Sequence, residues 1–248
     1  MRSHPRVAAL IALLATLVLV AAACSSDSSS DDNDDNGSSE ASSEEARGGS
    51  LVGLFGIDAG ECADAGVTGG SYFRMVQSGG TLEDGPFIDN ADSTCGDTTW
   101  TALSPGTDGG LITGDYQPSP DPAFDDAGNG LAAAIIEPPT FFAVGFALAT
   151  NPTDPQLEAD APAPELSADD SGALSGDLSA AGVDWNGLAF NQGAPKPDGS
   201  TSEGTTGPTG TYDADTGAYT LEWTSTIVGG AFDGFTGVWH LEGTFTAS

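Results

Sequence analysis

Thr211-Tyr212-Asp213-Ala214-Asp215-Thr216-Gly217-Ala218-Tyr219-Thr220-Leu221-Glu222-Trp223 decides the fold. Asp213 to Gly217 is a turn composition. On its far side Tyr219, Leu221 and Trp223 fall on one face, and Thr220, Glu222 and Thr224 on the other. A period of two with apolar and polar faces means a strand half in a core and half in water. Val238 to Phe245 repeats the pattern, with Trp239, Leu241 and Phe245 together and His240 and Glu242 opposite. On this reading His240 is a solvated strand residue beside Glu242 and across from Glu222.

Shorter runs extend the pattern toward the N-terminus. Leu51 to Ile57 predicts a first strand, and Ser71 to Gln77 a second, with Tyr72, Arg74 and Val76 opposite Phe73 and Met75. Leu111 to Tyr116, Leu131 to Ile136 and Phe141 to Ala149 read as strands, since the prolines and aromatics disfavour helix. Leu174 to Phe190 reads as two strands around Trp185. Asn151 to Asp170 and Asn191 to Gly210, poor in apolar residues, read as exposed loops. The 35 glycines and 15 prolines among 248 residues suit short strands and turns. The expected fold is all-β, an antiparallel β-sandwich or jelly-roll-like domain over residues 51–248.

The N-terminus has a different character. Arg2 and Arg6 precede Val7 to Ala23, a run of 17 residues that is apolar except for Thr16. A basic start, a short apolar run and small residues before a cut site describe a secretory signal over residues 1–23. Val20-Ala21-Ala22-Ala23-Cys24 resembles the bacterial lipobox. That resemblance implies cleavage before Cys24, a diacylglyceryl thioether on its sulfur and acylation of the new amino group. Two or three acyl chains anchor stably where one does not. The expected location is extracytoplasmic, on the cell membrane or on an outer membrane.

Residues 24–50 then form an acidic linker, SSDSSSDDNDDNGSSEASSEEARGGS after the cysteine. Too few apolar residues are present to offset chain entropy. As a coil the segment spans roughly 28 Å, and more with like charges.

Charge excludes one class of partner. After Cys24 the chain holds Arg47, Arg74 and Lys196 against 37 carboxylates, a net charge of −34. Such a surface cannot neutralise phosphates, so no nucleic-acid partner is expected. Cys62 and Cys95 are the remaining cysteines and are expected to pair outside the cell.

Several phrases resemble a loose group of secreted bacterial surface proteins of the PEP-CTERM-associated type. They are Gly70-Ser71-Tyr72-Phe73-Arg74-Met75, Gly109-Gly110-Leu111-Ile112-Thr113-Gly114, Val183-Asp184-Trp185-Asn186-Gly187 and His240-Leu241-Glu242-Gly243-Thr244. This chain ends at Phe245-Thr246-Ala247-Ser248, which lacks that group's sorting signal, so the lipid would take its place. The resemblance implies β structure and an extracytoplasmic address, and carries no activity.

Motifs for chemistry are sparse. His240 is the one histidine after Cys24, and no G-x-S-x-G elbow accompanies it. Lys196 lies between Pro195 and Pro197, not in a phosphate loop. A carboxylate pair for glycoside hydrolysis would come from Glu137, Glu222 and Glu242, nearest the aromatic segments. Calcium is the one cofactor the sequence suggests, with Asp213 and Asp215 in one acidic loop and Asp121 and Asp125 in another as candidate ligands. The acidic stretch Asp89 to Asp97 is a third such loop. Asp is equally a good turn residue.

The expectation is a lipid-anchored surface module, structural or ligand-binding and not catalytic, with no ligand or protein partner named. The alternative is a secreted carbohydrate-active hydrolase with a carboxylate pair. A solute-binding lipoprotein would need helices alternating with strands, a pattern this chain does not show.

Overall fold

The computed structural model describes residues 49–248. The signal segment, Cys24 and nearly all of the acidic linker lie outside the described residues. Strand structure begins at Gly49, two residues inside the stretch assigned to the linker.

Fourteen strands carry the fold. In chain order they are β1 (Gly49–Leu51), β2 (Gly53–Ile57), β3 (Tyr72–Thr81), β4 (Gly85–Phe87), β5 (Thr101–Ala102), β6 (Gly110–Thr113) and β7 (Ala147–Thr150). Then follow β8 (Glu165–Ala168), β9 (Ala173–Asp177), β10 (Ala181–Trp185), β11 (Leu188–Asn191), β12 (Thr206–Tyr212), β13 (Ala218–Thr226) and β14 (Thr236–Ala247). Two-residue ladders decorate the connections, and one 3-10 turn covers Gly230–Phe232. The class is all-β and antiparallel, as the alternation predicts.

The main sheet runs β1-β8-β9-β12-β13-β14-β2-β6, with β3 beside the first half of β14 and β4 and β5 on β3. Residues 49–57 are nearly continuous, and they pair with β8 through 49–51 and with β14 through 53–57. The ladder therefore returns to the segment where it began, and the sheet curls around its apolar face. A second sheet, β7-β10-β11, packs against that face. Phe146 stacks on Trp239 at 5.6 Å, and Phe141 meets Trp185 at 6.4 Å. One core joins both sheets, with Phe55, Leu166, Leu221, Trp223, Trp239 and Leu241 almost fully buried.

Turn chemistry fits the hairpins. Asn186 and Gly187, both with positive φ, join β10 to β11, the Asn-Gly composition that two-residue hairpins favour. Asp213 Oδ1 accepts from the backbone N–H groups of Asp215 and Thr216 in the β12–β13 turn, and Gly217 closes it at φ 75°. Cys62 and Cys95 form a disulfide across a sequence separation of 33. Closing a loop of that length stabilises by about 3–4 kcal/mol in the chain-entropy model.

Two loop expectations are overturned. Asn151 to Asp170 contains β8, with Leu166 in the core and Asp154 buried. Asn191 to Gly210 is not an exposed loop: Asn191, Gln192, Ala194 and Lys196 are buried, and β12 begins at Thr206. The reason is hydrogen bonding. Lys196 Nζ donates to Asn191 O, Asn191 Oδ1 and Ser225 Oγ, and Asn191 Nδ2 donates to Asp154 Oδ2. Polar groups so satisfied can sit inside. Leu174 to Phe190 likewise holds parts of three strands, not two. Leu111 to Tyr116 and Leu131 to Ile136 contribute only the short runs Gly110–Thr113 and Ile136–Glu137.

Candidate functional site

The outer face of the main sheet carries three cross-strand rows. The first is Tyr72–His240–Glu222–Thr209, the second Arg74–Val238–Thr224–Thr206, and the third Val76–Thr236–Thr226. The rows follow from the period-two pattern of β3, β13 and β14, while a register shift between Thr206 and Thr209 sets both β12 residues opposite them. The β3–β4 hairpin and residues 202–204 stand beside these rows as walls, and Trp100 packs on Tyr72 and Arg74.

Between the walls lie two adjoining hollows that share Leu82. One, of about 300 Å³, is lined by Tyr72, Arg74, Phe87, Thr206, Thr209 and Glu222 among others. The other, of about 350 Å³, continues past Gln77, Gly204, Thr226 and Thr236. Together they form a groove floored mainly by threonine. Part of its hydroxyl set is spoken for: Thr206 bonds Thr224, Thr224 donates to Gly204 O, and Ser202 donates to Thr226.

Arg74 is the cation of the groove. Its guanidinium lies 3.4 Å from the Phe87 ring centre and 4.1 Å from that of Trp100. Nη2 donates to Thr99 Oγ1, whose own hydroxyl donates to Asp97 Oδ1, while Trp100 Nε1 donates to Asp97 Oδ2. The Thr99 backbone N–H, bonded to Asp97, is the largest of the effects holding that carboxyl below its ordinary range. Burial pulls the Arg74 guanidinium down from its ordinary value. Among the described residues Arg74 lies within ion-pair distance of no carboxylate, and its buried Nε has no partner; the contacts of that range are those of the His240 ring with Glu222 and Glu242.

His240 is more constrained than the solvated residue expected. Its ring stacks on Tyr72 at 4.6 Å and 8°, and Tyr72 meets Trp100 edge-on at 4.6 Å. Nδ1 lies 2.8 Å from Glu222 Oε1, and Nε2 3.6 Å from Glu242 Oε2. Burial, followed by the Glu222 charge, pushes the Tyr72 phenol up.

The three candidate carboxylates fall in two places. Glu222 and Glu242 flank His240, but their side chains are 57% and 42% exposed, and Glu242 also accepts from the Gly70 N–H. Water on both weakens the case for a glycosidase acid, which wants a shielded carboxyl. Glu137 lines a separate hollow with Pro138, Pro139 and Thr94.

The calcium candidates are not brought together. Asp125 Oδ1 accepts from the N–H groups of Ala127 and Asn129, and Oδ2 from Asn129 Nδ2. Those bonds, led by the Asn129 side chain, hold its carboxyl below the ordinary range. The Asp125 loop docks on Gly187 through Gly128, whereas the Asp213 turn docks on Phe245 through Gly217. Asp121 is exposed, and Asp215 lines a hollow beside Asp169 and Asp170. Among the described residues no three His, Cys, Asp or Glu side chains converge as metal ligands would.

A second, apolar cleft opens between the sheets, lined by Phe73, Phe141, Trp185, Phe190 and Phe232. Its cavity volume is about 30 Å³, so the core there is nearly filled. The groove was only partly visible in sequence. Alternation placed Tyr72 and Arg74 on one face, but nothing local tied Phe87 and Trp100 to Arg74.

No family model matches the chain, and no curated protein or solved structure matches it significantly.

Proposed function

We propose that the chain is a lipid-anchored, extracytoplasmic binding module that presents this groove and does no chemistry in it. The observation that carries the reading is the groove around Arg74: a cation held by two aromatic rings and, among the described residues, touching no carboxylate directly, with Asp97 reached only through Thr99. A guanidinium with no direct carboxylate contact at a concave polar surface is an arrangement suited to a ligand. The Cys62–Cys95 disulfide accords with an oxidising exterior. The lipobox and the resemblance to secreted surface proteins support the address.

The hydrolase alternative draws on Glu222 and Glu242, both well hydrated and both occupied by His240 or backbone. A bound, unreacted ligand suits these side chains better than an acid and a nucleophile.

Two measurements test the reading. Wild-type chain should fractionate with membranes and be shaved from intact cells by protease, and Cys24→Ser should be lost from the membrane. Wild type in the soluble fraction would overturn the anchor. Reducing ends released from a polysaccharide by wild type, and lost in Glu222→Gln, would overturn the non-catalytic role.

A further inference from the structure

We infer that the groove takes an extended, uncharged saccharide chain. The inference rests on the reading of the domain as a binding module and names the ligand class of that same site.

Shape is the first argument. The two hollows meet at Leu82 and run across β3, β12, β13 and β14, so the site is a trough and not a round pocket. A linear polymer with several units fits such a site better than a compact metabolite.

Surface chemistry is the second. A sugar ring presents hydroxyls at its rim and C–H groups on its faces. The groove offers matching partners: apolar surface from Leu82, Phe87 and Val238, and polar groups from Tyr72, Thr209 and Thr236. Among the described residues those three hydroxyls bond no other protein group. Hydroxyls both donate and accept, as do sugar hydroxyls. Arg74 adds a fixed donor and Glu222 a fixed acceptor on opposite sides of the floor.

Charge is the third. The net charge of −34 after Cys24 repels polyanions. A polycation would meet Arg74 in the floor. An extended peptide gains affinity by pairing with a sheet edge, yet the floor strands β3, β12, β13 and β14 already pair with one another. A neutral, hydroxyl-rich chain has none of these handicaps.

The test uses the exported full chain carrying Cys24→Ser. Titration calorimetry would follow neutral hexasaccharides of β-1,4-linked glucose, β-1,4-linked N-acetylglucosamine and α-1,4-linked glucose, beside polygalacturonate and an uncharged Gly/Ser peptide. Binding of at least one neutral hexasaccharide is expected. Thr209→Trp, on an exposed strand position in the groove, should abolish it. Thr244→Trp, exposed on the same strand system outside the groove, should leave it unchanged. Arg74→Lys should weaken it by about tenfold, the scale of one charge-assisted hydrogen bond. Melting curves would confirm that each variant folds. No heat from any neutral hexasaccharide with folded protein would overturn the inference. So would binding undiminished by Thr209→Trp, or preference for polygalacturonate or the peptide. None of these outcomes touches membrane fractionation, so failure of the ligand class is distinct from failure of the anchored-module reading.

Discussion

Trp223 and Trp239 lie directly opposite each other on β13 and β14, their rings 5.4 Å apart and parallel within 3°. Both indoles turn to one residue: Trp223 Nε1 donates to Gln192 O, and Trp239 Nε1 to Gln192 Oε1. Gln192 thus fixes the orientation of the two largest fully buried side chains. Gln192→Leu keeps the shape and removes the acceptor of Trp239. Leaving a buried N–H without a partner costs about 1–3 kcal/mol. Chemical denaturation should show that loss, with an altered near-ultraviolet dichroism of the tryptophans.

Phe142 and Ala143 form the tip of a two-residue hairpin at φ 50° and 61°. Left-handed backbone costs roughly 1–2 kcal/mol per ordinary residue. Asn-Gly is the composition that this turn favours. Replacing Phe142-Ala143 by Asn-Gly should therefore raise the melting temperature, offset partly by the contacts of Phe142 with Phe141 and Phe232. A lower melting temperature would show that those ring contacts outweigh the backbone strain.

Lys196 sets a pH dependence. Burial pulls its ammonium down to about 8 from 10.5. Between those values the unfolded chain holds the proton and the folded chain releases it, so stability rises with pH across that window. The full gain, were the window completed, is about 3 kcal/mol. Above about pH 10 the sign reverses, because unfolded tyrosine ionises there while burial holds the Tyr219 phenol protonated. Equilibrium unfolding from pH 7 to 11 should show a maximum near pH 10, and Lys196→Met should lose the rise but keep the fall.

Asp213 is a turn residue in this structure, its Oδ1 spent on two backbone N–H groups. Asp213→Ala should cost about 1 kcal/mol, the net value of such hydrogen bonds, equally with calcium and with chelator. A melting temperature that rises with calcium in wild type and not in the variant would make Asp213 a ligand after all.

The strands after Thr211 were legible because each alternates strictly and a turn composition separates the first two. The segment from Asn191 was not, because its burial depends on partners far along the chain. Asp154, Ser225 and the two tryptophans satisfy polar groups that look solvent-bound in sequence. The groove divides the same way. Its floor on β3, β13 and β14 follows from period-two alternation, while the β12 register shift and the rings over Arg74, from β4 and Trp100, are set by chain geometry that no local pattern reveals.

The closed ladder also has a mechanical meaning. Residues 49–57 pair with β8 and β6 along their length and with β14 as well. A pull entering at residue 49 acts along that strand's axis, against several rows of hydrogen bonds loaded together and not one after another. The groove-bearing half of β14, residues 236–240, lies beyond the rows that take the tension. A ligand held there and a force on the N-terminal end would strain different parts of the sheet.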